Sequence, residues 1–301
     1  MLANFFSKSK PVNFIVLFLL FLTYFGVTLF VNNISFFSAG KEVFLFIVVF
    51  SIYNFIIVKN EVTFDNSFAF LFYVLLIGFF IKNIDINTIF YANLTTLLFF
   101  RKVYSLQSGK NIFHKLFDGG MWLGISFMVE PYTLVFGFLL YISIFLHNRL
   151  SYQTLIIPLL GFFVPVFLYY TYCFWYDSAE TFWQLFSWKI TLDFTLYSTP
   201  YYLFSIFFIG LFTFLAVVIK TPKALAVLNR FRKNWILILF HLFFSGVVFF
   251  LVPEKSGEAF LFLLFPISVI LANGLELYQK KWFADIFILL FIIASMIEFF
   301  L

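Results

Sequence analysis

The sequence predicts an all-α fold, a polytopic transmembrane helical bundle, and three observations predict it. The chain of 301 residues is 63% hydrophobic and only 11% charged, with a mean hydropathy of +1.04, a composition that water-soluble domains do not have. Its apolar residues come in runs of roughly 14 to 25, the length scale of a bilayer crossing, separated by polar turns. Its 19 Lys and Arg fall in those turns with an alternating bias, the pattern that orients membrane helices.

Residues 14–31 form the first run, after a short polar lead carrying Lys8 and Lys10. The run approaches the ~20 residues needed to cross a ~30 Å hydrocarbon core, and it exceeds the roughly 7–15 of a signal-peptide core. A cleavage point near Ala39 would put Phe37 where a small side chain is wanted, so a retained helix is expected. Runs 43–58, 68–81 and 86–100 follow, divided by the turns KNEVTFDN and KNID. The runs at 68–81 and 86–100 are short and are expected to tilt or to sit inside the bundle. Residues 101–115 make a polar connection with Arg101, Lys102, Lys110, His114 and Lys115.

The next stretch, 117–146, holds Glu130 and Pro131 within an apolar run. A carboxylate in hydrocarbon costs at least a few kcal/mol and is by default a functional-site hypothesis. It needs a protein-lined cavity, a cationic partner, or a helix break that brings it to the surface. Charge counting selects the break. With a cytoplasmic N-terminus and a turn at Pro131, Lys41, Lys82, Lys189 and Lys255 fall outside and the remaining 15 of the 19 Lys and Arg fall inside; an unbroken helix gives a near-even split. Proline also removes an amide donor and crowds the preceding turn. The two half-length limbs should then pack within protein or meet a thinned membrane.

Run 152–176 carries Pro158, Gly161 and Pro165, a spacing that predicts a kink. Residues 177–199, the longest external connection, place Trp183, Phe186 and Trp188 among Glu180, Lys189 and Asp193, as in a helix lying at headgroup depth. Run 201–219 returns to the strongly basic loop 220–234, whose charge serves topology and attraction to anionic lipid. Run 235–252, the turn PEKSGEA and run 260–273 follow; Lys280, Lys281 and Trp282 mark the inner interface before a last run, 284–301. Counting the hairpin as two gives about eleven hydrophobic passes, in a single integral membrane domain, 1–301, without a soluble domain or linker.

The function classes narrow accordingly. The formal charge of +5 is accounted for by loop bias, so no nucleic-acid partner is expected. The 54 phenylalanines read as lipid-facing filler. Cys173 is alone and there are three histidines, which excludes an intramolecular disulfide, a thiolate metal cluster and a four-imidazole site; neither metal nor cofactor is expected. Walker-type glycine loops, HExxH and GxSxG are absent from the sequence, leaving ATP-driven pumping and the common hydrolase mechanisms unsupported. The candidates are the external acids Glu130, Asp177, Glu180, Asp193, Glu254 and Glu258, with Lys255 among them. Glu130 and the PEKSGEA turn stand apart because they lie within or between membrane segments. His241, in an apolar run, needs a hydrogen-bond partner and is expected to be structural.

The blocks FDGGMWLGISFMVEPYTLVF, LSYQTLIIPLLGFFVPVFLYYTY and EKSGEAFLFLLFPISVILANGLE, in that order, resemble an uncharacterised family of polytopic inner-membrane proteins of Bacteroidota. The resemblance implies a bacterial inner (cytoplasmic) membrane location. Some members carry a carotene monooxygenase label, which the three histidines of this chain contradict. The same blocks are distantly similar to membrane glycosyltransferases of the GT-C type, which use polyprenyl-phosphate sugars. That similarity implies a donor-phosphate contact at Lys255, ahead of Phe260 and Pro266, with Glu258 beside it. Those enzymes carry an acid in the first external loop; here residues 32–40 hold none, so Glu130 as base or Glu42 at the helix start would have to substitute.

Two readings follow. One is a non-enzymatic subunit of an envelope assembly, secretion or polysaccharide-export complex, with membrane lipids and other envelope proteins as partners. The other is a GT-C-like transferase or binder of polyprenyl-phosphate-linked sugar, with Glu130 and Lys255 facing one external cavity. A secondary transporter would fit Glu130 and the half-helices, but inverted repeats are not visible.

Overall fold

The structure, a computed structural model, describes residues 2–32, 36–188, 191, 193–226, 229–253, 255–277 and 281–299. Lys189, Glu254 and Lys280 of the sequence reading lie outside these residues. The described residues are mostly helical and include no strand. The helices are α1 (Leu2–Phe6), α2 (Pro11–Asn32), α3 (Phe36–Lys59), α4 (Phe68–Gly78), α5 (Thr88–Ser105), α6 (Ile112–Val129), α7 (Gly137–Leu146), α8 (Tyr152–Trp175), α9 (Ala179–Gln184), α10 (Pro200–Ala226), α11 (Asn229–Leu251), α12 (Leu261–Leu275) and α13 (Lys281–Met296). Eleven of those described, α2 to α8 and α10 to α13, correspond to the expected passes. Six spans are long and apolar enough to cross a membrane unaided, and α4 and the segment Pro131–Leu146 are shorter apolar helices. The chain is therefore a multi-pass helical membrane protein. It folds as two compact units, one of Met1–Asp85, Asp193–Trp235 and Lys255–Leu301, the other of Ile86–Leu192 and Ile236–Glu254.

The first unit is built around α4. Its 11 residues reach only ~16 Å at 1.5 Å per residue, about half a bilayer core. All of them are buried, packed by α2, α3, α12 and α13, so a helix too short to span meets protein instead of lipid. Tyr53 of α3 ties the centre: its ring stacks on Tyr73 at 3.9 Å, and its hydroxyl lies 2.6 Å from Ser268 Oγ and donates to Ala69 O at 3.1 Å. Gly78 is required where α2 crosses, because a Cβ there would stand 2.8 Å from the Tyr24 ring. The amino-terminal lead is more ordered than a polar tail: Ala3 and Phe6 of α1 are buried, and Ala3 N donates to Asp285 Oδ1 at 2.7 Å.

The polar groups of this unit sort to two ends. At one, Asn13 Nδ2 donates to Ser67 Oγ (3.0 Å), and Asn234 Nδ2 donates to the carbonyls of Asn60 and Glu61 (3.4 and 3.3 Å). There too Asn66 and Lys220 meet Glu276. At the other lie Glu42, Asp85, Tyr197 and Glu258. This is the alternation that the charge count predicts for these segments.

In the second unit the sequence-predicted hairpin is present. Helix α6 ends at Val129, Glu130 is extended (φ −143°, ψ 104°), and Pro131–Phe136 is a 3-10 turn leading into α7. The limbs run back along each other: a Cβ at Gly137 would lie 3.1 Å from Leu123, and one at Gly119 3.4 Å from Leu140. Farther down, Ser143 Oγ donates to Val103 O of α5 at 2.9 Å. Helix α8 continues through Pro158 and Pro165 and crosses α6 at glycines. A Cβ at Gly120 would overlap the Pro158 carbonyl, one at Gly161 the Phe117 carbonyl, and one at Gly124 would lie 2.6 Å from Phe162 O. The pair Gly120 and Gly124 is a small-xxx-small motif, which lets membrane helices approach to backbone contact. Short α9 turns Phe182 into a cluster with Phe127, Val166 and Cys173, while Trp183 and the following Phe186 are exposed.

Candidate functional site

The carboxylates and the cation singled out from the sequence fall into both units. Glu42, Lys255 and Glu258 belong to the first, Glu130 to the second. Within the first unit, two of them converge on a residue that sequence reasoning missed, Asp85. The 3-10 turn Gly257–Phe260 tucks Glu258 inward until it is 2% exposed, and its Oε1 accepts the Asp85 amide at 2.8 Å. Its Oε2 has no hydrogen-bond partner among the described residues. Glu42, half-buried on α3, lies within electrostatic reach of Asp85.

Aromatic rings wall this end. Phe80 and Phe260 stack at 4.1 Å, and the Tyr197 and Tyr202 rings pack on Phe260 at 5.3 and 6.0 Å. Tyr197 donates to Ser256 O at 3.0 Å, and Tyr201 donates to Phe79 O. Burial raises the Tyr197 phenol above its usual range, with Tyr202 and then Glu258 adding to the effect. Gly257 has to be glycine, because a side chain there would overlap Asn83 O. Lys255 holds its ammonium 5.4 Å from the centre of the Phe194 ring; burial lowers its pKa from the usual lysine value. Chemically, this end offers a buried carboxylate oxygen as acceptor and a partly desolvated ammonium on the same turn. Such a set suits a ligand with hydroxyl donors and an anionic group. The signal that could have found Asp85 was the KNID turn, which joins two short passes on the face shared by Glu42 and Glu258.

Glu130 is half-buried at the tip of the hairpin. Its backbone amide closes α6 on Ser126 O (2.8 Å), and its carbonyl accepts both the amide and the hydroxyl of Thr133 (3.1 and 2.8 Å). Near this tip the Tyr132 and Trp188 rings lie 5.4 Å apart. His241 is buried with Nδ1 3.0 Å from the Tyr104 hydroxyl and its ring 4.0 Å from Phe100, so the hydrogen-bond partner expected of it is present.

At the opposite end of the first unit lies a feature the sequence reading passed over. Lys220 and Glu276 form an ion pair at 3.5 Å with side chains 11% and 8% exposed. Glu276 Oε1 also accepts from Asn66 Nδ2 (2.6 Å) and Phe64 N (3.3 Å). Burial raises the Glu276 carboxyl above its ordinary range, against the pull of Lys220 and the hydrogen bonds. Among the described residues no group of three or more His, Cys, Asp or Glu side chains could hold a metal ion.

No curated protein matches the chain, and no solved structure does either. A family match covers all of it, residues 1–301, and on that ground the chain belongs to the family of unknown function DUF6427.

Proposed function

We propose that this protein is a non-enzymatic subunit of an envelope assembly, secretion or polysaccharide-export complex in the bacterial inner membrane. The observation that supports this reading is the employment of four of its 14 acids. Glu258 holds the Asp85 amide, Glu276 holds Asn66 and Phe64, Asp118 pairs with Lys102 at 2.6 Å, and Asp285 holds the Ala3 amide. Carboxylates bound to backbone and structural partners hold a scaffold together, whereas acid–base catalysis needs a carboxyl within reach of the substrate proton. The test is purification in mild detergent followed by identification of co-purifying proteins. Stoichiometric envelope proteins support a subunit; a chain that purifies alone and transfers sugar from a lipid-linked donor overturns it.

A second reading, a GT-C-like binder of polyprenyl-phosphate-linked sugar, is favoured by one observation: the second oxygen of Glu258 lies buried without a hydrogen-bond partner among the described residues, three positions after Lys255. In that reading Lys255 meets the phosphate and Glu258 a sugar hydroxyl. Glu258→Gln and Lys255→Ala should each weaken binding of a polyprenyl-phosphate sugar; unchanged binding in both removes this reading.

A further inference from the structure

We propose that the basic end of the second unit, where Lys102, Lys115 and Arg149 gather on the turn 105–109, binds the phosphate of an anionic phospholipid of the cytoplasmic leaflet. Four helices have an end here: α5 stops at Ser105, α6 starts at Ile112, α7 stops at Leu146 and α8 starts at Tyr152. All of these residues belong to the second unit. Segments 101–118 and 147–151 carry five Lys and Arg against one carboxylate, Asp118, and Lys102 takes that carboxylate at 2.6 Å. Lys115 lies within electrostatic reach of Lys102. Its ammonium donates only to neutral oxygens among the described residues, Ser105 O and Ser108 Oγ, both at 2.6 Å. One residue on, Gly109 (φ +66°) leaves room for the Arg149 guanidinium, which a side chain there would overlap.

Charge identifies the occupant as an anion. Two ammonium groups and a guanidinium are held around one turn with a single carboxylate among them, so their mutual repulsion is relieved by a phosphate, to which lysine offers a point charge and arginine a bidentate fork. The first turn of α6 has no side-chain cap and no acid, and the positive end of its dipole adds to the same field. Depth identifies the source of the phosphate. Chain passes end at this level, and Leu150 and Tyr152, which follow Arg149, are 58% and 88% exposed. A tyrosine ring suits headgroup depth, so a lipid phosphate at the bases lays its acyl chains beside exposed apolar side chains, whereas a soluble phosphate gains nothing from them. Construction separates this site from the loop bias that orients membrane helices. That bias depends on how many charges a loop carries and is indifferent to where the side chains meet; here two hydrogen bonds fix an ammonium, and a glycine in the left-handed region admits a guanidinium beside it.

The test uses the full chain, purified in mild detergent, stripped of loosely held lipid by exchange and incubated with equal amounts of phosphatidylglycerol and phosphatidylethanolamine. Native mass spectrometry should show phosphatidylglycerol retained about tenfold in preference, equivalent to ~1.4 kcal/mol, and the preference should fall as salt is raised. Lys115→Gln and Arg149→Gln should each lower retention about fivefold, equivalent to ~1 kcal/mol for one base near a membrane surface. Lys8→Gln with Lys10→Gln removes two charges from the first unit and should leave retention unchanged. Gly109→Ala removes no charge, so the balance that orients the helices is kept, yet it displaces the Arg149 guanidinium and should also lower retention. Equal retention of the two lipids, or retention unchanged in Lys115→Gln and Arg149→Gln, overturns the proposal, as does a loss just as large in the Lys8 and Lys10 variant. Displacement of the lipid by millimolar inorganic phosphate also overturns it, because the site would then serve soluble anions. Should the charge variants insert wrongly, Gly109→Ala and the lipid preference of the unaltered chain decide.

Discussion

The carbonyl oxygen of Pro158 occupies the place that a side chain on Gly120 would take. Its neighbour Gly119 looks elsewhere, with Leu140 at 3.4 Å, an ordinary contact distance. Two adjacent glycines should therefore respond oppositely. Gly120→Ala forces two backbones apart and is expected to cost about 1–3 kcal/mol, as overpacking does. Gly119→Ala should be neutral or gain up to about 1 kcal/mol from helix propensity. Thermal unfolding of both variants in one detergent checks the contrast, and equal destabilisation would remove the crossing geometry.

Lys220 and Glu276 make an ion pair whose side chains are 11% and 8% exposed. Lys220→Met leaves a desolvated carboxylate and should cost about 3 kcal/mol, whereas Lys220→Met with Glu276→Gln should recover most of it. The pH dependence has a definite sign. Because the folded carboxyl pKa is raised, the folded state binds more protons than the unfolded state between the ordinary Glu pKa and the raised one. Stability therefore falls as pH rises through that window and levels off above it. Glu276→Gln should flatten this slope; an unchanged slope would assign it to another group.

Glu258→Gln keeps an acceptor for the Asp85 amide and should change stability by less than about 1 kcal/mol, while Glu258→Ala leaves that amide without its partner and should cost about 1–3 kcal/mol. Chemical denaturation of both variants distinguishes the two, and a loss no larger for alanine than for glutamine would show that the contact at 2.8 Å contributes little.

Helix α13 starts beside α1, through Ala3 and Asp285, and its later residue Ser295 meets Tyr24 Oη at 2.6 Å. Tags fused before Met1 and after Leu301 are accordingly expected on opposite faces of the membrane, the amino-terminal one cytoplasmic. Paired alkaline phosphatase and green fluorescent protein fusions measure this. Reporter activity on the same face for both ends would contradict the arrangement.

The hairpin was legible because charge is: Arg101 to Lys115 on one flank and Arg149 on the other constrain Glu130 to the opposite face. The shortness of run 68–81 left two outcomes open, a tilt or a place inside the bundle, and α4 takes the second. Other features needed tertiary knowledge. The Gly120 and Gly124 motif was present in the sequence, yet nothing there says that Pro158, Phe162 and Gly161 of α8 are the surface it meets. Likewise PEKSGEA reads as a polar turn; only the fold reveals that Gly257 slips past Asn83 O and carries Glu258 inside. The Lys220 to Glu276 pair was hidden because its members sit 56 positions apart, in segments that read as ordinary basic and polar loop ends.

The buried α4 has a consequence for biosynthesis. It leaves the ribosome early, too short to hold itself across the bilayer, while two of the helices that cover it, α12 and α13, are made about 190 residues later. At roughly 5–20 residues per second of synthesis, α4 waits some ten seconds or more for its cover. Until then α4 has only α2 and α3 against it, and ribosome-bound chains truncated before α12 are expected to be more protease-sensitive than the full chain.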